Sequence, residues 1–226
     1  MKNILPKGII NRVEATCRNF LWDGSAEYRR SPLVAWDKIC RPKDEGGLGL
    51  KDQETWNKAM VGRLVDLVFE KKDTIWVHWV TANYLRGQSW LEYKPSSNSS
   101  WVWRCIYKVK QEIVAGYNDG HWHIQNEGYT PSNCYKWLRG SKPEVAWRKV
   151  IWNSWSLPKH KFVGWLWAHE ALNTNSKLIM YGVAAEDKCW LCGQAAETQT
   201  HLIFNCMFCR KLVQVLNQCT GLHPCD

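Results

Sequence analysis

Residues 187–209 read DKCWLCGQAAETQTHLIFNCMFC and concentrate cysteine and histidine in one short stretch. Four of these residues follow a Cys-x2-Cys-x8-His-x4-Cys spacing, namely Cys189, Cys192, His201 and Cys206. Two thiolates separated by two residues can bend around one ion on a tight turn, and Gly193 relaxes the backbone just beyond the second sulfur. The histidine and the last cysteine can both turn inward from the start of a helix or from a loop leading into one. The spacing therefore predicts one tetrahedral metal site.

The donor set predicts Zn²⁺, because three soft thiolates and one imidazole leave no open position for a catalytic water. One alternative stays open, since Cys206 and Cys209 form a second Cys-x2-Cys pair that could complete a four-cysteine site without His201. A redox dithiol at Cys189 and Cys192 is disfavoured, because nothing before it reads as the strand of a thioredoxin-like unit. The sequence thus predicts a structural zinc site rather than a catalytic one.

The composition is that of a folded chain. Of 226 residues, 45% are apolar and 23% charged, which is ordinary, whereas 16 Trp and 10 Cys are both high. No apolar run approaches the roughly 20 residues that cross a bilayer, and the N-terminus lacks a signal-peptide segment. We therefore expect an intracellular protein, nuclear or cytoplasmic, without membrane contact. In that reducing setting a close Cys/His cluster indicates metal binding rather than disulfides.

Apolar residues recur at helical spacing along most of the chain. The pattern predicts a mainly α fold of small helical domains with a short β-hairpin and a C-terminal zinc knuckle. The hairpin is expected over residues 117–130, where His121 to Ile124 alternate in polarity. A polar Ser/Asn segment at 95–100 predicts a linker, and hence a boundary between residues 1–94 and residues 101–226. Downstream, Pro158 is expected to start a helix.

Short motifs run from residue 152 into the Cys/His stretch. They are Trp152-Asn153, Leu157-Pro158-Lys159-His160-Lys161-Phe162, Trp165-Leu166-Trp167, Leu172-Asn173-Thr174, Glu197-Thr198 and His201-Leu202. In order and spacing they resemble the zinc-binding domain of reverse transcriptases from plant non-LTR, LINE-type retrotransposons. This resemblance implies that Cys189, Cys192, His201 and Cys206 are the zinc ligands, which favours Cys206 over Cys209.

The resemblance extends upstream and covers nearly the whole chain. The motifs there are Leu5-Pro6, Phe20-Leu21-Trp22, Leu33-Val34-Ala35-Trp36, Cys40-Arg41-Pro42-Lys43 and Gly46-Gly47-Leu48-Gly49. They are similar to the segment that follows the polymerase palm in those proteins. The resemblance therefore implies a helical thumb- or connection-like region over residues 1–94 and the reverse-transcriptase zinc-binding domain over residues 101–226.

The sequence departs from that family where catalysis is concerned. A polymerase of this type needs paired aspartates for two divalent ions, and the chain contains no Asp-Asp dipeptide. The ribonuclease H module that commonly follows would need several carboxylates, and only Asp226 lies beyond Glu197. We therefore expect a truncated or domesticated fragment that is not an enzyme.

The net charge of +9 is compatible with nucleic-acid contact. We expect weak binding to RNA or DNA without sequence preference, with basic residues on phosphate. The candidate residues are Arg148, Lys149, Lys159, Lys161, Arg210 and Lys211. Trp190 could stack on a base, although a knuckle aromatic more often shields the metal cluster. The alternative function is a zinc-stabilised scaffold for a protein partner, with the Trp residues forming its core or a docking patch.

Overall fold

The computed structural model describes residues 5–27, 31–118 and 128–220, and these residues are mainly helical, as the sequence predicts. They divide into two compact units, Met1–Val145 and Ala146–Asp226. Among the described residues, no helix has the length and apolar character needed to cross a membrane.

The first unit is a helical assembly around a central helix, α3 (Gln53–Phe69). Two shorter segments accompany its α-helices, a 3-10 turn at Lys43–Glu45 and a π turn at Thr81–Leu85. Helix α3 packs against α1 (Lys7–Asp23), α5 (Trp101–Asn118) and α6 (Pro131–Arg139). The bounds are α1 (Lys7–Asp23), α2 (Trp36–Ile39), α3 (Gln53–Phe69), α4 (Ile75–Val80), α5 (Trp101–Asn118) and α6 (Pro131–Arg139).

A close approach between α3 and Tyr129 closes the core of this unit. The Tyr129 hydroxyl is buried and donates a 2.6 Å hydrogen bond to the carbonyl of Ala59. It passes so near to Gly62 that a Cβ at this position would lie 2.1 Å from the hydroxyl oxygen. Because a side chain at residue 62 would collide with Tyr129, glycine permits this contact.

The polar segment at 95–100 does not end the first unit. Beyond it, the indole of Trp103 in α5 donates to the Tyr93 hydroxyl at 3.0 Å. The buried ammonium of Lys110 donates to the carbonyls of Trp90 and Tyr93 at 2.7 and 3.1 Å. These contacts pack α5 against the segment that precedes it, and the compact unit continues to residue 145. The division of the chain into a region over residues 1–94 and a domain over residues 101–226 stays a prediction.

The second unit contains short helices around a buried tryptophan. Trp165 is fully buried, and its ring packs on those of Phe162 and His169, with centroids 5.7 and 4.9 Å away. Pro158 lies in the first turn of α8, as the sequence predicts. The helices described in this unit are α7 (Arg148–Ile151), α8 (Pro158–Ala168), α9 (Asn175–Met180) and α10 (Met207–Thr220), with a π turn at His201–Asn205.

The predicted β-hairpin falls mostly on residues 119–127, including His121 and His123, which lie outside the described residues. In the part of the chain that the structure describes, β pairing is limited to an isolated antiparallel bridge between Lys188 and Ala196. That bridge encloses Cys189 and Cys192.

Candidate metal centre

The first two cysteines lie on a tight turn, Cys189–Gly193, which we call the knuckle. The N–H of Cys189 donates to the carbonyl of Ala195 at 2.8 Å, which holds the turn at its base. The N–H of Gly193 donates to the carbonyl of Cys189 at 2.8 Å and closes the turn. Gly193 has φ +68°, in the left-handed region that glycine adopts without strain. The role predicted for this glycine is therefore confirmed.

The histidine and the last cysteine are joined by the π turn His201–Asn205. The N–H of Cys206 donates to the carbonyl of His201 at 2.6 Å, and α10 begins at the next residue. The N–H of His201 donates to the hydroxyl of Thr198 at 3.1 Å, which holds the start of the turn. Both candidate ligands thus lie at the ends of one hydrogen-bonded turn.

These elements bring four side chains together. The donor atoms of Cys189, Cys192, His201 and Cys206 all lie within 4.8 Å of one another. The Cys189 and Cys206 sulfurs are 4.0 Å apart, and the Cys192 sulfur lies 3.3 Å from Nε2 of His201. A zinc ion with sulfur ligands at about 2.3 Å needs sulfurs about 3.8 Å apart in a tetrahedron. The residues present therefore fit a tetrahedral Cys₃His metal site.

Backbone hydrogen bonds prepare two of the three thiols for a cation. Cys189 and Cys206 are only 1% and 0% exposed. Backbone N–H groups at the start of α10, above all that of Cys209, lower the pKa of Cys206. The N–H of Gln194 lowers the pKa of Cys192, whereas burial raises the pKa of Cys189. Since the thiolate is the form that binds a metal, the first two effects favour binding.

Cys209 lies outside this group of four. It belongs to the first turn of α10, whereas Cys206 precedes the helix and accepts hydrogen bonds from its free N–H groups. Burial raises the pKa of the Cys209 thiol. The arrangement thus places Cys206 rather than Cys209 beside the other three side chains.

The buried carboxylate of Glu197 supports the knuckle through a hydrogen bond, a role that the sequence analysis did not identify. Its side chain is buried, with 7% of the residue exposed. One carboxylate oxygen accepts the N–H of Trp190 at 2.9 Å, and the other accepts the N–H of Asn175 at 3.1 Å. The Asn175 side chain in turn donates to the carbonyl of Lys188 at 2.8 Å. The carboxylate therefore ties the knuckle to the start of α9.

Gln199 makes a second link from this stretch to the rest of the unit. Its side-chain oxygen accepts the N–H of Leu172 at 2.8 Å, and its side-chain nitrogen donates to the carbonyl of Trp167 at 3.4 Å. Single polar residues in a loop carry no periodic signal, so the sequence offered no pattern that would identify Gln199 or Glu197 as supports.

Trp190 points away from the centre. The residue is 84% exposed, although Cys189 beside it is buried. The expectation that this indole shields the metal cluster is therefore wrong. Because the turn is tight and its two cysteines point inward, the two residues between them are directed outward. Leu191, the other of these two residues, is also exposed.

The six basic candidates for nucleic-acid contact are distributed over three helices of the second unit. Arg148 and Lys149 belong to α7, Lys159 and Lys161 to the first turn of α8, and Arg210 and Lys211 to α10. Arg148 and Lys161 are half-buried, and the other four are exposed. The Arg210 side chain donates to the carbonyl of Phe204 at 2.8 Å and to the Asn205 side chain at 3.3 Å. It thereby supports the π turn.

Comparison with known proteins identifies this region. Residues 129–212 match the family described as zinc-binding in reverse transcriptase. This part of the chain is therefore similar to the reverse-transcriptase zinc-binding family. The match includes all four residues of the Cys₃His group and confirms the resemblance seen in the motifs. Residues 1–128 lie outside it.

Two curated relatives of the chain are plant proteins, both from Arabidopsis thaliana. One, named as a ribonuclease H protein, is 34% identical over 102 residues, which are 43% of this chain and 16% of that protein. The other, an uncharacterized mitochondrial protein, is 25% identical over 113 residues, or 50% of this chain and 73% of that protein. The chain thus spans a small part of the first relative. No solved structure matches this chain.

Proposed function

We propose that this chain is a fragment of a plant retroelement reverse transcriptase that binds zinc and, through basic residues of the same compact unit, RNA or DNA without sequence preference. The observation that carries the proposal is the Cys₃His group, whose donor atoms lie within 4.8 Å inside the region that matches the family. Zinc is the ion that such a closed set of soft ligands suits.

Zinc at this centre would be structural. Cys189 and Cys192 on the knuckle would be linked through the ion to His201 and Cys206 at the two ends of the π turn. All four positions of a tetrahedron would be filled by protein, so the ion would stabilise the fold without offering a place to a substrate. The short helices and single β bridge of this stretch otherwise provide little structure of their own.

Phosphate contact is supported by charge and by the start of α8. Lys159 and Lys161 lie in the first turn of this helix, and its N-cap residue, Leu157, makes no side-chain capping hydrogen bond. Free N–H groups and the helix dipole favour an anion, and the two ammonium groups add positive charge. Such contacts attract any nucleic-acid backbone and carry no sequence information.

Catalysis is not part of this proposal. The chain has no Asp-Asp dipeptide, and Asp226 is the only acidic residue after Glu197. Polymerase and ribonuclease H chemistry both require clustered carboxylates that hold divalent ions. Within the described residues, the Cys₃His group is the one cluster of potential metal ligands, and its members are not the oxygen ligands that such ions need.

A second candidate function is a scaffold that docks another protein. The observation that favours it is an apolar stripe along α10, where Phe208, Leu212 and Val215 are each about half exposed. Their spacing of four and three residues places them on one face of the helix. This face could pack against an apolar surface of a partner.

Filter binding of the zinc-loaded full chain to single-stranded RNA and DNA over a salt series separates the two candidates. Nucleic-acid binding predicts dissociation constants of about 10⁻⁴ to 10⁻⁶ M at physiological salt, with similar values for unrelated sequences. The logarithm of affinity should fall against the logarithm of salt concentration with a slope of about −3 to −5. Absence of binding at low salt would favour the scaffold.

A further inference from the structure

We propose that Trp190 stacks on an unpaired base and makes this chain prefer single-stranded nucleic acid over duplex. The inference rests on the nucleic-acid binding proposed above and adds a choice of strand form to it. Backbone contacts alone would not distinguish the two forms strongly, because both carry phosphate. A base face is accessible in a single strand but covered by its neighbours in a duplex.

Trp190 has the exposure that stacking requires. At 84% exposed, it presents nearly its whole indole to solvent from the tip of the knuckle. Most of the apolar area of this side chain would be removed from water by a planar partner, which is the main source of stacking affinity. An aromatic ring in this position is therefore ready to bind a base without any rearrangement of the core.

The backbone that carries this ring is held in place. The N–H of Trp190 donates to the buried carboxylate of Glu197 at 2.9 Å, and the same carboxylate accepts the N–H of Asn175. Cys189 and Cys192 on either side would be fixed by the metal. A side chain on a rigid support loses less conformational entropy on binding, so more of the stacking energy appears as affinity.

The charges next to Trp190 indicate that it acts by stacking and not by contact with phosphate. Lys188 is exposed and forms a 3.3 Å ion pair with exposed Glu186, and Asp187 adds a second exposed carboxylate. The three charged residues that directly precede the knuckle thus carry no excess of positive charge. Phosphate attraction would come from the basic residues of α7, α8 and α10, and the two contributions should respond to different substitutions.

The test compares the affinity of the zinc-loaded full chain for a single-stranded oligonucleotide with that for the duplex of the same sequence. Trp190→Ala should weaken single-strand binding by about 5- to 100-fold, leave duplex binding unchanged and leave the salt slope unchanged. Trp190→Phe should retain most of the preference, because it keeps a planar ring. Trp190→Leu should lose it, because it keeps apolar area without a ring.

Two controls accompany these variants. The zinc content of each variant is measured, so that a loss of affinity with zinc retained reflects the ring and not unfolding. Trp79→Ala removes a half-exposed indole of the first unit and should leave the preference for single strands unchanged.

Equal affinity of the unaltered chain for both forms, or full single-strand affinity in Trp190→Ala, would overturn this inference while the proposed nucleic-acid binding stands. Full affinity in Trp190→Leu would show an apolar contact and would overturn stacking. If the unaltered chain binds neither form at low salt, the proposed function itself fails.

Discussion

The backbone N–H of Cys206 donates to the carbonyl of His201 across a single π turn, at 2.6 Å. In a regular α-helix, residues five positions apart point about 140° away from each other. The wider π turn reduces this angle and brings both side chains toward the same side. The His-x4-Cys spacing therefore serves a single metal centre because the backbone departs from α-helical geometry between the two residues.

The choice between Cys206 and Cys209 can be tested by single substitutions. Cys206→Ser should lose zinc, because its sulfur lies within 4.8 Å of the other three donor atoms. Cys209→Ser should keep zinc, because Cys209 lies outside that group. Elemental analysis of the purified variants measures the metal directly, and one zinc per chain is expected for Cys209→Ser. Zinc retained in Cys206→Ser and lost in Cys209→Ser would show that the ligand assignment is wrong.

Removal of zinc should unfold the centre and spare the first unit. Structural zinc contributes roughly 10 to 16 kcal/mol of apparent binding free energy at neutral pH. The folded backbone around the ligands depends on this contribution. Hydrogen exchange after chelation should therefore show lost protection over residues 183–212. The core helices α3 and α5 should stay protected, because the buried residues of their cluster include no ligand. Unchanged protection at 183–212 would mean that the site is not structural.

Glu197→Gln should weaken zinc binding although residue 197 is not a ligand. The carboxylate accepts two N–H groups, from Trp190 and Asn175, whereas an amide has one oxygen and would face the second N–H with its own NH₂ group. Loss of such a support typically lowers metal affinity by about 10- to 100-fold. Competition with a chromogenic chelator measures the change. Glu186→Gln, which alters an exposed carboxylate nearby, should leave zinc affinity unchanged.

Reversal of charge at the start of α8 should flatten the salt dependence of nucleic-acid binding. In Lys159→Glu/Lys161→Glu, the loss of about two phosphate contacts should reduce the slope by about 1.5 to 2. The matched control is Lys72→Glu/Lys94→Glu, which makes the same change in net charge with two exposed lysines of the first unit. Equal slopes for the two double variants would show that net charge, rather than a site at α8, controls binding.

The ion pair between Glu45 and Arg139 should make the first unit sensitive to acid. The Arg139 guanidinium donates to the Glu45 carboxylate, 8% of whose side chain is exposed, and lowers its pKa below the usual 4.5. Because the folded-state pKa is depressed, the stabilisation is present above the unfolded-state pKa and is lost as pH falls through the folded-state value.

The variant Glu45→Gln tests this dependence by denaturant unfolding at several pH values. At neutral pH it should lose about 2 to 3 kcal/mol of unfolding free energy, because Arg139 loses its charged hydrogen-bond partner. The loss should shrink as the pH falls below 4.5, since the parent protein then loses the same ion pair. Glu54→Gln, which removes a half-exposed ion pair with Lys58, should cost less than about 1 kcal/mol at any pH. A pH-independent difference for Glu45→Gln would contradict the assignment.

The sequence by itself determined the features that depend on short-range geometry. The Cys and His spacing indicated a single tetrahedral centre, the helical periodicity of the apolar residues indicated a mainly α fold, and Gly193 and Pro158 marked a turn and a helix start. Each of these follows from the conformations that a few neighbouring residues can adopt, so no distant contact was needed to predict them.

Only the tertiary structure decided which distant groups meet. It placed the Glu197 carboxylate between the knuckle and Asn175, which lies 22 residues before Glu197 in the sequence. It also directed Trp190 into solvent. It also joined α5, through Lys110, to the carbonyls of Trp90 and Tyr93 in the non-helical segment before the polar residues. The physical reason is that a polar residue has many potential partners in sequence, and burial selects the one that satisfies its hydrogen bonds.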